Sequence, residues 1–484
     1  MVGRLLNFRR GELPLALLSA AFFFVVLCGY FFLRPVREAM GVSRGMDELR
    51  WLFIVTSVLS LVVVLAFGGV VSRTDRRKFI PIAYLFVILC LVGFSTLLIW
   101  DAIAGGGFIG TDAETSTSRF VGYTFYWWLS VINLFTTSVF WAYMVDIFNV
   151  DQGKRLFAFI GIGGTLGAIA GGSATTWIAG RTDSPFLPAG LMLAGAAFFG
   201  LAIVIMLVLD RIAVRSEHSH LGKGGRAGAG SGDAAASSGA AAPEKIGGGA
   251  LDGLWAIIRS PYLIGIALWI VAMAISNTFI YFTQADIVLE SSDGLSELIG
   301  GFAYFDMLAQ IATLITQIFI TTRLIAKLGI GWTLSILPLV TTLGFGILAL
   351  WPTFGVMALF QAIHRATRYA ISRPARETLF AVVPPDEKYK AKPVIDVFLY
   401  RGGDVAGAGM EGLLRAAGLT LAWVAAATIP FTAAWTGLSL AMGRAQIKRD
   451  PDAAGADGSV GTDETGGTDS PADPDPDDEG RAPR

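Results

Sequence analysis

Apolar runs about as long as a bilayer is thick recur through the whole chain. They lie at 14–33, 51–71, 79–100, 120–143, 156–180 and 186–209, then at 262–283, 299–322, 331–351, 353–371, 394–418 and 420–441. A span takes about 20 mostly apolar residues, so the pattern predicts an all-α polytopic membrane protein of about 12 transmembrane helices, six followed by six. The first run follows Arg4, Arg9 and Arg10 but is long enough to cross and lacks a small-residue cleavage site, so it is expected to persist as a helix. Between the two sets, residues 216–250 hold 24 Gly, Ala or Ser out of 35, too little apolar surface to bury a core. The expected organisation is an N-terminal segment 1–13, a six-helix bundle 14–210, a flexible linker 211–253, a second six-helix bundle 254–442 and a disordered acidic tail 443–484.

Composition agrees with the pattern: of 484 residues, 54% are hydrophobic and 15% charged, with a mean hydropathy of +0.61. A soluble chain carries about a quarter charged residues, so a soluble protein is excluded. The net charge of −1 hides two unlike parts. Residues 450–479 carry 11 acids and no base, leaving 27 acids against 37 bases elsewhere. Loops on the cytoplasmic side retain Lys and Arg. With the N-terminus inside, the inner ends and loops hold 29 bases and the outer ones 7, so both termini, linker and tail are expected in the cytoplasm of a multi-pass cell (inner) membrane protein. Cys28 and Cys90 both fall in apolar runs, and of three histidines His218 and His220 lie in the linker while His364 ends a span. Neither a disulfide framework nor a metal site is expected. No catalytic constellation, cofactor motif or nucleic-acid partner is indicated either.

Ionisable residues inside spans are costly and mark functional sites by default. In the eighth run, Asp306, Gln310, Thr313, Gln317 and Thr321 follow helical spacing along one stripe. That stripe is either a wall of a solute cavity or a polar seam against a neighbouring helix. The eleventh run aligns Asp396, Tyr400, Gly403, Asp404, Gly407, Glu411 and Arg415, with Arg401 at the edge. These charges either serve a site or only pair with one another. A buried carboxylate can carry a proton, which makes Asp306 and Asp404 candidates for proton coupling. The tenth run puts Gln361, Arg365, Arg368 and Ser372 on one face. The planar Arg fork suits phosphate or carboxylate, and snorkelling to lipid headgroups is the alternative. Tyr123, Tyr126, Ser130, Asn133 and Thr137 share a face of the fourth run. The candidate substrate residues are Arg37, Asn133, Gln310, Arg365, Arg368 and Arg401.

Arg-Pro-x-Arg-Glu occurs twice, as Arg34-Pro35-Val36-Arg37-Glu38 and as Arg373-Pro374-Ala375-Arg376-Glu377. The first is expected just after the first helix on the outer side, the second just after the tenth on the inner side. Arg34, Glu38, Arg373, Arg376 and Glu377 are candidate gate residues, set against a plain charge cluster at a proline break. Gly163, Gly167 and Gly171 suggest a phosphate loop, but no Lys-Ser/Thr follows. Their spacing of four instead fits close helix contact.

Several segments resemble the nucleotide-exchange translocases (ATP/ADP antiporters) and their bacterial major-facilitator-like relatives. They are Leu33-Arg-Pro-Val-Arg-Glu38, Phe140-Trp141, Asp151-Gln-Gly-Lys-Arg-Leu-Phe157, Lys388-Tyr-Lys-Ala-Lys392, Ile395-Asp-Val397 and Arg401-Gly-Gly-Asp404. The resemblance covers most of the transmembrane body and implies a 6+6 major-facilitator-like fold with secondary transport that hydrolyses no ATP. Exchange in that family relies on a lysine in the first helix, a glutamate in the fourth, a glutamate early in the second half and a lysine in the eleventh. Here Arg37 keeps the first charge. Trp128 and Leu129, then Ile280 and Tyr281, stand near the acidic positions, and Asp404 reverses the last. The expected function is a secondary transporter of an organic, anionic solute, with the bilayer and that solute as partners. A proton-coupled carrier or exporter of another small molecule and a non-transporting scaffold or sensor are the alternatives.

Overall fold

The computed structural model describes residues 12–71, 76–106, 109, 114–224 and 252–449. Residues 450–484 of the expected tail, most of the linker and Arg4, Arg9 and Arg10 lie outside them. In the first half the helices are α1 (Leu13–Val42), α2 (Met46–Val71), α3 (Arg76–Ile103), α4 (Ser116–Ile147), α5 (Val150–Ala179) and α6 (Leu187–Gly224). The second half has α7 (Pro261–Glu290), α8 (Leu295–Phe319), α9 (Thr321–Leu350), α10, α11 and α12 (Leu421–Ile447). α10 runs as Phe354–Ala366, passes through a π-helical turn at Thr367–Ser372 and ends as Arg373–Leu379. α11 begins with a second π-turn at Val394–Leu399 and continues as Tyr400–Ala416. Among the described residues, nine helices are long and apolar enough to cross a membrane. α2, α10 and α11 complete the twelve; α10 and α11 are each divided by a π-turn and carry several charges. The chain has the all-α, 6+6 fold expected of it.

Caps explain where several helices start. Thr115 accepts from the Ser118 N–H at α4, and Asn149 and Gln152 form a reciprocal capping box at α5. Ser260 caps α7 with Pro261 in the first turn, and Thr353 caps α10.

The first Arg-Pro-x-Arg-Glu segment corrects the sequence reading. α1 does not stop before it but runs through Pro35 to Val42, so Arg34, Arg37 and Glu38 lie inside the span. Proline removes one backbone hydrogen bond, whereas ending a helix within hydrocarbon strands several polar groups. Continuing is the lesser cost. The second segment likewise continues α10 past its π-turn, with Pro374 in the opening turn of the final piece, where no N–H is needed.

α1 is the axis of the first half and packs on α4, α5 and α6. Gly163, Gly167 and Gly171 of α5 lie against the backbone carbonyls of Ala20, Phe24 and Cys28 of α1. Both triplets advance by four residues, so the glycines are a packing seam and the phosphate-loop likeness ends there. Gly403 and Gly407 set α11 against α7, and Gly331 and Gly443 set α9 against α12. Phe23 stacks on Phe140 with centroids 4.2 Å apart, and Trp269 meets Trp435 edge-on. A Cβ at Gly167 would overlap the Phe24 backbone. Gly167→Leu is therefore expected to cost at least about 1–3 kcal/mol by overpacking, read as a lowered Tm; an unchanged Tm would mean the helices are not in contact there.

The halves meet along α1 and α5 against α8, and α2 against α11. Chain direction puts the described ends of α6, α7 and α12 on one face, the near face; the opposite face is the far face.

Candidate functional site

A cavity of about 250 Å³ lies between the halves, lined by α1, α2, α4, α7, α10 and α11. Its wall is mostly polar because the charges that the sequence placed in separate helices converge there. Asp306 of α8, 3% exposed, bonds Arg34 of α1 at 2.9 Å and Arg365 of α10 at 2.5 Å. Glu38, also 3% exposed, pairs with Arg37, lies 3.7 Å from Arg34 and accepts from the Tyr281 hydroxyl at 2.7 Å. Arg37 also donates to Ser130 at 2.9 Å and lies over the Tyr126 ring, whose hydroxyl is 2.9 Å from that of Tyr281. Arg401 and Asp404 of α11 pair at 3.0 Å. Arg368 differs from these arginines. Its Nη2 donates to the Tyr400 hydroxyl at 2.6 Å, and no carboxylate among the described residues lies within ion-pair distance.

Five arginines thus face three carboxylates. The excess is two positive charges in a site where low dielectric makes them strongly felt. Among the described residues, five buried side-chain atoms on the same wall have no hydrogen-bond partner: Arg37 Nε, Ser60 Oγ, Asn277 Nδ2, Gln361 Oε1 and His364 Nε2. Buried polar groups are normally paired, so the cavity offers unused donors and acceptors beside an unneutralised cation. That is the chemistry of a site for a polar anion.

Toward the near face the cavity adjoins a vestibule of about 530 Å³, reached through Arg368, Tyr369, Tyr400 and Arg401, which line both. Toward the far face the halves are latched. Arg50 of α2 bonds Glu411 of α11 at 2.6 Å, Ser296 of α8 donates to Asp183 at 3.4 Å, and Phe53 stacks on Tyr281.

Of the sequence candidates, Arg37, Asn133, Arg365, Arg368, Arg401 and Asp404 line the cavity, and Asp306 joins it through Arg34 and Arg365. Arg34 and Glu38, named as gate residues, line it too, whereas Arg373, Arg376 and Glu377 line the vestibule. Gln310 is partly buried and off the wall. Thr313 bonds the Ala309 carbonyl of its own helix, and Gln317 is exposed, so below Asp306 the stripe of α8 does not line the cavity. In α11, Glu411 and Arg415 pair with Arg50 and Asp286, so these two charges serve the far-face contact. Sequence reasoning missed Thr56 and Ser60 of α2 and Asn277 and Thr278 of α7, which line the cavity. Each is a lone or paired polar residue in a strongly apolar run; only Asn277, an amide among Ile, Ala and Phe, gave a signal worth following.

No family model matches the chain. It is 22% identical over 316 residues to ADP,ATP carrier protein 1 of Chlamydia pneumoniae, a match covering 57% of either chain, so it spans little more than half of that relative. Among solved structures it resembles the nucleoside transporter NupG (TM-score 0.55, 14% identity, 90% of this chain and 99% of that one). A bacterial homologue of the iron transporter ferroportin in an inward-facing state gives a TM-score of 0.58 at 9% identity, covering 91% and 99%. A POT family transporter in complex with a thioalcohol-conjugated peptide gives 0.57 at 12%, covering 89% and 96%. These structures show that the chain shares their fold, and over 57% of its length the sequence is similar to that of an ADP,ATP carrier.

Proposed function

We propose that this protein is a secondary active transporter that moves an organic anion, nucleotide-like in chemistry, by alternating access between its two six-helix halves. One observation carries the reading: a polar cavity between the halves with two more arginines than carboxylates and unpaired groups on its wall. The similarity to an ADP,ATP carrier favours a nucleotide or related phosphate ester over a plain carboxylate.

The excess of Lys and Arg on the near face supports a cytoplasmic location for it, hence cytoplasmic termini in a cell membrane. The structure then corresponds to a state open to the cytoplasm and closed outside. In the cycle, Arg34, Glu38 and Asp306 hold the outer side shut. The vestibule residues Arg373, Arg376 and Glu377 close the inner side when the halves rock. Asp404, whose one ion-pair partner among the described residues is Arg401, is the residue best placed to exchange a proton or trade its arginine for the solute. Solute entry breaks ion pairs in the cavity and replaces them with its own charge, so binding and rocking are coupled.

Thermal unfolding of the purified protein tests the binding half of this proposal. A nucleotide at a hundred times its Kd raises apparent stability by about 2.7 kcal/mol. Nucleotides are expected to raise Tm by several degrees and the uncharged nucleosides by much less; an equal rise with both would remove the anion from the proposal. Arg368→Gln is expected to erase most of the nucleotide shift while leaving the unliganded Tm near that of the wild type, because no carboxylate is left unpaired.

A further inference from the structure

The vestibule has its own charge imbalance. Five cationic side chains line it: Arg368, Arg373, Arg376, Lys392 and Arg401. Arg376 and Lys392 both bond Glu377, Arg376 also lies 3.8 Å from Asp396, and Arg401 is held by Asp404. Three carboxylates thus answer three of the cations. Arg368 and Arg373 have no carboxylate within ion-pair distance among the described residues, and the imbalance of two charges rests on them.

The backbone explains why these two act together. In an α-helix, residues five apart point about 140° away from each other. Here the π-turn closes with the Arg373 N–H donating to the Arg368 carbonyl, an i→i+5 bond that brings the two residues round to one side of the helix. Next to Arg373 the Ser372 hydroxyl is 1% exposed and has no partner, and it faces the same vestibule. The second π-turn, at the start of α11, delivers Tyr400, whose hydroxyl holds the Arg368 fork in place.

We infer that the π-turn of α10 forms a second anion site, separate from the central cavity, in which Arg368 and Arg373 with the Ser372 hydroxyl take a phosphoryl or diphosphate group. Charge selects the class. A phosphate monoester carries a charge of about −1.5 to −2 near pH 7, matching the two free guanidinium groups, while a single carboxylate leaves one unanswered. Paired Arg forks and a hydroxyl donor also suit the several oxygens of a phosphoryl group. Because Arg368 lines both spaces, an anion captured by the pair can be handed to the central cavity without releasing that arginine. The physiological meaning rests on the transport reading, but the site itself is tested by binding alone.

The test is calorimetric titration of inorganic pyrophosphate into the full-length protein in phosphatidylcholine nanodiscs and in nanodiscs rich in phosphatidylglycerol. Wild type is expected to bind in both. Arg373→Gln, an exposed position whose replacement leaves the fold intact, is expected to bind at least tenfold more weakly. Arg373→Lys should recover part of the loss, and Arg444→Gln, the same charge change on α12 outside the vestibule, should bind as wild type. Equal binding by Arg373→Gln and wild type overturns the proposal. Binding that vanishes only in the anionic discs overturns the free-solute assignment and gives the site to lipid headgroups. Failure of transport with pyrophosphate binding intact and Arg373-dependent would refute the transport reading alone.

Discussion

Asp306→Asn is expected to abolish solute exchange and to destabilise the protein by about 3–5 kcal/mol, the cost of breaking a buried ion pair from one side. Asp306 is almost fully buried and one of its oxygens is shared by Arg34 and Arg365. Asparagine has nearly the same shape but no charge, so both guanidinium groups would remain in a low-dielectric site with one partner fewer. The loss falls on both halves, because Arg34 belongs to the first and Asp306 and Arg365 to the second. Tm and exchange in proteoliposomes measure the two effects. Adding Arg365→Gln to Asp306→Asn should recover part of the stability, since the pair is coupled. Wild-type Tm and exchange in Asp306→Asn would show that the cluster neither holds the halves together nor takes part in transport.

Glu38→Gln should open the far face. Glu38 joins Arg34 and Arg37 of its own helix to Tyr281 of α7. Charge-assisted hydrogen bonds of this kind contribute about 1.5–3 kcal/mol each, and about 1.4 kcal/mol is tenfold in an equilibrium. A cysteine at Thr283, 3% exposed and one half-turn beyond Tyr281 toward the far face, serves as reporter once Cys28 and Cys90 are replaced. Its labelling by a membrane-impermeant maleimide from the far side is expected to rise at least tenfold in Glu38→Gln. Unchanged labelling would assign the closure to the Arg50–Glu411 latch alone.

Much of the fold could be read from apolar runs and much of the site from charges inside them, for one physical reason. A bilayer penalises each polar group it touches, so the exceptions are few and informative. Arg365, Arg368, Arg401 and Asp404 stood out because an ionisable group within a span needs a cavity, a partner or a headgroup in reach. What escaped the sequence came from local geometry. Pro35 looked like a helix end, but in hydrocarbon the helix has no better option than to continue. The π-turns of α10 and α11 shift the register that a 3.6-residue period assumes, so the alliance of Arg368 with Arg373 is invisible to that period. On α8 the stripe extends past the site: Asp306 meets the arginines, whereas Gln310 and Gln317 are not among the residues lining the central cavity. Asn277 and Thr278 were unremarked because a neutral polar residue in a span has many ordinary uses.

The central claim is that the arginine-rich cavity carries an organic anion through the membrane, and counterflow in proteoliposomes tests it most directly. Vesicles loaded with unlabelled ADP are given trace labelled ADP outside, with ATP, inorganic phosphate, uncharged adenosine and a dicarboxylate as competitors. The account predicts transient accumulation of label by the wild type, competition by phosphate-bearing compounds and not by adenosine, and loss of accumulation in Arg368→Gln and Asp306→Asn. Accumulation that persists undiminished in both variants, or no counterflow with any anion in the panel, would contradict it.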